Sequence, residues 1–178
     1  MTRRYEPRPA PAPAVHPGTD PRRAPWADQG WRLARAKRYG EAAAAFDQAL
    51  AAVPTDVNAL GGMGWALLDL GQPQDARSYF ERALRLDGDH VLSLNGLAQS
   101  LKDEGRVGDA ITVWQDMSQR YPGVNIGTPR LAWTYYEIQD YGQAAVHFAR
   151  LINRHPYDSQ IADALNIAVE NIAGPQPH

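Results

Sequence analysis

The sequence predicts an all-α fold, built from antiparallel helix pairs repeated four times and closed by one further helix. Three observations predict it. Trp31, Trp65 and Trp133 fall on one arithmetic series with a step of 34 residues, broken at Gln99. Ala42, Ala76, Ala110 and Ala144 form a second series with the same step. Within the intervals, apolar residues recur at helical spacing, in two runs separated by turn residues.

The elements follow in order. Residues 1–22 are rich in Pro, Ala and Arg. Proline fixes φ and removes a donor, so this stretch is read as a semi-extended solvated arm. Four units follow, at 23–56, 57–90, 91–124 and 125–158. In the second, "NALGGMGWALLDLG" has helical spacing and stops at Gly71, a helix terminator. "QDARSYFERALRLDG" then carries Ala76, Phe80, Ala83, Leu84 and Leu86 on one stripe, with Arg77, Glu81, Arg82 and Arg85 largely off it. The short connection makes the two helices antiparallel neighbours. Small residues at 64 and 76 are expected to let them approach, with the aromatic at 80 filling the space beyond. Between the third and fourth units, "RYPGVNIGTPRLAW" holds Gly123, Gly127 and Pro129. A longer loop is expected there, with Thr128 as N-cap and Pro129 at the first helical position. It is read either as an irregular linker or as a bend that widens a groove. Residues 159–173 continue as one helix with Ile161, Leu165, Ala168 and Ile172 as its apolar stripe. A repeat array exposes an apolar face at its last unit, so this helix is expected to cap it. Residues 174–178 form a tail that begins with the helix breakers Gly174 and Pro175.

At the step of 34, Gly30, Gly64, Ala98 and Ala132 align as small residues, and Phe46, Phe80, Trp114 and Phe148 as aromatics. Pro54, Pro122 and Pro156 close three units and Gly88 the other. The first unit places Trp26, Gly30, Leu33, Ala42, Phe46, Ala49 and Pro54 at positions 4, 8, 11, 20, 24, 27 and 32. This pattern resembles the tetratricopeptide repeat (TPR). The fourth unit departs most, with Thr128 at the large fourth position and Leu151 where Ala is usual. The resemblance covers residues 23–158 and implies a right-handed α-solenoid of four TPR-like helix pairs plus a C-terminal capping helix.

Composition narrows the chemistry. Residues 1–23 carry five Arg against Glu6 and Asp20, a net +3, and residues 24–178 carry 13 basic and 18 acidic side chains, a net −5. An acidic body argues against a nucleic-acid groove, which needs a concentrated basic face. The absence of cysteine excludes disulfides, thiolate nucleophiles and cysteine metal sites. The five histidines form no metal motif, and "DGDH" at 87–90 lacks the ligand series of a calcium loop. The expectation is a protein that is not an enzyme and holds no cofactor and no metal. No apolar run approaches the ~18 residues that span a bilayer, and the basic N-terminus lacks the apolar stretch of a signal peptide. The chain is therefore expected to be cytoplasmic and not inserted in a membrane. The Ala, Arg, Gly and Pro bias points to a GC-rich bacterial source.

The resemblance also implies where partners bind. In TPR arrays the first helix of each pair lines a concave surface through positions 2, 5, 6, 9, 12 and 13. Carried to this chain, those positions supply Trp31, Arg35, Asn58, Trp65, Asn95, Gln99, Lys102, Arg130, Trp133 and Tyr136 as the expected partner-binding groove, with Gly61, Gly62 and Gly96 on the same surface and Gly61 and Gly62 clearing space beside the Trp65 ring. Tryptophan offers much contact area at little entropic cost. The positions that clamp a C-terminal carboxylate in some co-chaperones hold Ala27, Trp31, Gly62, Leu92 and Gly96 here, so that activity is not expected. Two readings of the Trp slot stand together: it grips a partner, or it stiffens its own array. The function expected is an adaptor binding a peptide or helix of a partner protein. A self-assembling scaffold, giving a homo-oligomer, and a chaperone or regulatory subunit of an enzyme or secretion complex are the alternatives.

Overall fold

A computed structural model describes residues 24–124 and 126–173. The expected arm at 1–22 and tail at 174–178 lie outside the described residues. Nine helices occupy the described chain: α1 (Ala24–Arg35), α2 (Tyr39–Ala52), α3 (Val57–Asp69), α4 (Pro73–Leu86), α5 (Val91–Asp103), α6 (Val107–Arg120), α7 (Gly127–Glu137), α8 (Tyr141–Ile152) and α9 (Ser159–Ala173). No strand occurs among the described residues.

Local chemistry sets several of these boundaries. Asp56 caps α3, its Oδ1 accepting from the N–H groups of Asn58 and Ala59 at 3.0 and 3.2 Å. Asp140 caps α8 through the Gln143 N–H at 3.1 Å. Asp158 does the same for α9 through Gln160 and Ile161. Pro73 opens α4, where a missing N–H costs nothing. The turn inside each pair repeats at a step of 34: Lys37 (φ 59°), Gly71 (φ 75°), Gly105 (φ 79°) and Gln139 (φ 62°) all adopt the left-handed conformation. Glycine takes that conformation without strain, so two of the four turns carry the residue their geometry favours.

The start of α7 differs from the expectation. The helix begins at Gly127, Ile126 occupies the N-cap without a side-chain bond, and Thr128 and Pro129 lie inside the first turn. The physical reason is close approach. A Cβ on Gly127 would stand 2.5 Å from Ser118 Oγ and 2.8 Å from the Trp114 carbonyl oxygen, so only glycine lets the helix start against α6. Pro129 is tolerated because first-turn N–H groups have no intrahelical acceptor.

The chain divides into two compact units, one ending at Val113 and the other beginning at Trp114, inside α6. In the first unit, α1 packs on α2, α2 on α3, α3 on α4 and α4 on α5. Its core is organised around two fully buried rings, Phe46 and Phe80. Phe46 lies between Gly30 of α1 and Gly62 of α3, where added Cβ atoms would come within 2.6 and 2.3 Å of the ring. Phe80 is held the same way between Gly64 of α3 and Gly96 of α5, at 2.6 and 2.2 Å. Each aromatic therefore wedges between the first helix of its own repeat and that of the next. It sits directly on the small residue, not in the space beyond it. Arg77 of α4 adds a charged tie, its Nε donating to Oε1 of Glu104, the residue that ends α5, at 2.8 Å.

In the second unit, α7 packs on α8 and α8 on α9. Trp114, Leu131, Ala132, Phe148 and Leu151 are buried. The buried stripe of α9 is Ile161, Ala164 and Ala168, while Leu165 is half-buried and Ile172 exposed. This corrects the expected stripe at both points. The 12-residue α8 is one turn shorter than the 15-residue α9, so the last turn of α9, with Ile172, is not covered by it.

Candidate functional site

The slot tryptophans have one geometry. Trp31 meets Phe46 edge-on, with ring centroids 5.2 Å apart at 73°. Trp65 meets Phe80 at 5.8 Å and 70°, and Trp133 meets Phe148 at 5.0 Å and 80°. Each indole thus stands against the aromatic 15 residues further on, in the second helix of its own repeat. Edge-to-face pairs of this kind contribute about 0.5–1.5 kcal/mol beyond area burial. Trp65 is also pinned by a hydrogen bond from its Nε1 to the Leu92 carbonyl at 3.3 Å, which ties α3 to α5.

Packing uses only part of each ring. Trp31 and Trp65 are half-buried, and Trp133 is 39% exposed. Beside Trp31, α1 presents an open cavity of about 460 Å³ lined by Pro25, Asp28, Trp31, Arg32 and Arg35. In the second unit Trp133 stands 6.0 Å from Tyr136, itself edge-on to Tyr141 and Phe148.

The expected site residues divide. Arg35, Asn58 and Arg130 are exposed, Lys102 and Tyr136 half-buried. Asn58 Oδ1 lies 3.2 Å from His90 Nε2, and His90 Nδ1 lies 2.7 Å from Ser93 Oγ, so a side-chain chain links α3 to the start of α5. Gln99 is half-buried, its amide donating to Asp103 at 2.8 Å. Asn95 is only 7% exposed. The glycines are corrected outright. Gly62 and Gly96 are buried against Phe46 and Phe80, and a Cβ on Gly61 would lie 3.2 Å from both His90 Cε1 and Ser93 Oγ. They clear space for the protein's own side chains, not for a partner. Positions 5 and 6 of the second repeat are thereby consumed, and positions 2, 9, 12 and 13, with Asp28 at position 6 of the first repeat, carry the accessible surface of the first unit.

Two residues were not anticipated. Arg32 lines the Trp31 cavity because it lies one residue from Trp31 and one turn from Asp28, a signal the repeat template does not weigh. His90 sits just ahead of α5 with Ser93 three residues on, the spacing of a capping pair. Burial pushes the His90 pKa below its ordinary value, against the opposing pull of Asp87 and Asp56. His147 is lowered in the same direction by burial and by Arg150, and its ring stacks on Tyr135 at 5.6 Å.

Among the described residues, no group of three or more His, Cys, Asp or Glu side chains is placed to hold a metal ion. None of the described helices is long and apolar enough to cross a membrane.

Antiparallel helix pairs repeated at a step of 34 residues define a class, the helical-repeat proteins. Tetratricopeptide repeat family profiles match residues 33–94 and 130–156. The chain belongs to the tetratricopeptide repeat family, and its fold is an all-α helical-repeat solenoid. A search of curated proteins finds no significant match. Solved structures with the same fold include the MamA protein (18% identity, TM-score 0.69, covering 83% of this chain and 80% of that one). The pilF protein of Pseudomonas aeruginosa is another (17%, 0.74, 84% and 68%). The second TPR domain of human RPAP3, solved in complex with an HSP70 peptide, is a third (16%, 0.59, 64% and 94%). The TPR fold is generally a protein–protein interaction module, and its members are typically non-catalytic scaffolds.

Proposed function

We propose that this protein is a non-catalytic adaptor that captures a peptide or helix of a partner protein on the first helices of its repeats. In the first unit the face comprises Trp31, Arg35, Asn58, Trp65, Gln99 and Lys102. In the second it comprises Arg130, Trp133 and Tyr136. One observation carries the reading: Trp31 is fixed edge-on against Phe46 and at the same time lines an open cavity beside two guanidinium groups. A ring already held by packing loses little freedom when a partner covers its free side, so its contact area converts to affinity efficiently. Asn58 adds an exposed amide that suits an extended main chain.

The test uses site-specific photocrosslinking. A crosslinker at position 31 is expected to give a discrete protein adduct, and one at Gln48, exposed on α2, none. The crosslinked partner segment is then titrated against wild type and a Trp31→Gln/Trp65→Gln variant. At least about tenfold weaker binding with unchanged far-UV circular dichroism is expected, because buried aromatic anchors are worth ~2 kcal/mol or more. Equal affinity for both proteins overturns the reading.

A further inference from the structure

The fourth repeat breaks the family pattern where its first helix should carry a large side chain. Trp26, Leu60 and Leu94 occupy that slot in the first three repeats, and Leu60 and Leu94 are buried; the fourth has Thr128. In the second unit a cavity of about 290 Å³ borders Thr128, and Ser118, Tyr121, Arg150, Asn153 and Arg154 also line it. A large-to-small replacement in an apolar core leaves a dry, costly void. The cavity beside Thr128 is instead open to solvent and walled by hydroxyls, an amide and two guanidiniums beside Pro122 and Val124, with no acidic residue among them.

Two features give the cavity one electrostatic sense. Arg150 and Arg154 are in no ion pair among the described residues. The first turn of α7 contributes Thr128 to the wall, and its N-cap, Ile126, supplies no side-chain acceptor. That end of the helix carries the positive end of the macrodipole. Two uncompensated cations and neutral donors in a space of this size suit a dianion with several acceptor oxygens.

We propose that this cavity binds a phosphate monoester or free phosphate, held by Arg150 and Arg154 with Thr128 as a hydroxyl donor. The site shares no residue with the tryptophan face and does not depend on the adaptor reading. Its test is an NMR titration of the full ¹⁵N-labelled chain at pH 7.5 and constant ionic strength. The probes are inorganic phosphate, O-phosphoserine and, as control, chloride. Saturable shifts are expected at the Nε–H groups of Arg150 and Arg154 with both phosphates and not with chloride. Tighter binding of O-phosphoserine identifies an esterified group as the ligand, and equal binding identifies the free anion. The Arg150→Gln/Arg154→Gln variant is expected to bind at least about tenfold more weakly, because charge-assisted bonds supply the affinity. Thr128→Leu restores the usual large residue and is expected to abolish binding while raising Tm. Shifts that do not saturate and appear equally at Arg85, exposed on α4, overturn the proposal. So does unchanged affinity in both variants.

Discussion

Adding one methyl group at Gly62 is expected to cost more stability than any other glycine-to-alanine change within a described helix of the first unit, Gly96 aside. The new Cβ would lie 2.3 Å from Phe46 Cε1 and Cζ, where carbon atoms normally stand about 3.5–4.0 Å apart. The ring has no retreat. Phe46 is fully buried, Gly30 confines its opposite side with a would-be Cβ at 2.6 Å, and Trp31 stands edge-on at 5.2 Å. Overpacking of a core costs about 1–3 kcal/mol, and this confined ring belongs at the upper end. Alanine returns about 1 kcal/mol of helix propensity relative to glycine. The net loss is about 2 kcal/mol, or ~4–8 °C in Tm for a chain of this size. Urea and thermal unfolding followed at 222 nm measure it. Gly108→Ala is the control, since nothing lies within 4 Å of its added Cβ; it is expected to stabilise by about 0.5 kcal/mol. Phe46→Leu combined with Gly62→Ala should lose clearly less than the sum of the single changes, because the two share one clash. A Gly62→Ala protein as stable as wild type would refute the wedge geometry.

The remaining predictions are smaller in scale. Lys37→Gly and Gln139→Gly place glycine at turns with φ near +60° and are each expected to add up to ~1 kcal/mol in urea unfolding, whereas Gly71→Ala should lose about as much. Trp65→Phe keeps an aromatic edge toward Phe80 but removes the bond to the Leu92 carbonyl, so a loss of about 0.5–1.5 kcal/mol is expected in the same assay. Stability should also fall in mild acid. His90 and His147 have folded pKa values below their ordinary 6.5, so the unfolded chain binds protons first as pH drops. Their contribution is complete above about pH 6.5 and is lost as pH falls from there through the folded values. A His90→Gln/His147→Gln variant should show a flatter decline as pH falls below 6.5, and an unchanged slope would remove these histidines as its source.

The helices were legible because each repeat states its period several times over. A register set by Ala42, Ala76, Ala110 and Ala144 does not depend on any one residue. The start of α7 was less legible, because Thr128 and Pro129 form a persuasive local cap signal. The helix obeys a tertiary demand instead, the contact of Gly127 with the α6 backbone. Gly62 and Gly96 failed for a related reason. Sequence spacing puts them on the same helix face as the Trp slot, but it carries no information about the ring of the preceding repeat that enters that face. The last turn of α9 escaped because its burial depends on how long α8 is. In each case the helix and its period were readable in isolation, and the error lay in what a neighbouring helix occupies.

The third repeat bears on what the tryptophan slot is for. It carries Gln99 where the others carry Trp, and that amide is satisfied by Asp103. Its large indole is instead Trp114, at the fully buried aromatic position filled by Phe in the other repeats. A repeat of this protein can therefore be built without an indole at position 9. If that ring served packing alone, burying it completely, as at Trp114, would use its area better than leaving it partly open as at Trp31, Trp65 and Trp133. The partly open placement is the costlier way to spend a tryptophan on stability and the efficient way to present one to a partner. Glutamine is accordingly the informative replacement at positions 31 and 65. It reproduces a residue this chain already uses in that slot, so a loss of partner binding with the helices intact separates recognition from folding, which alanine at the same positions would confound.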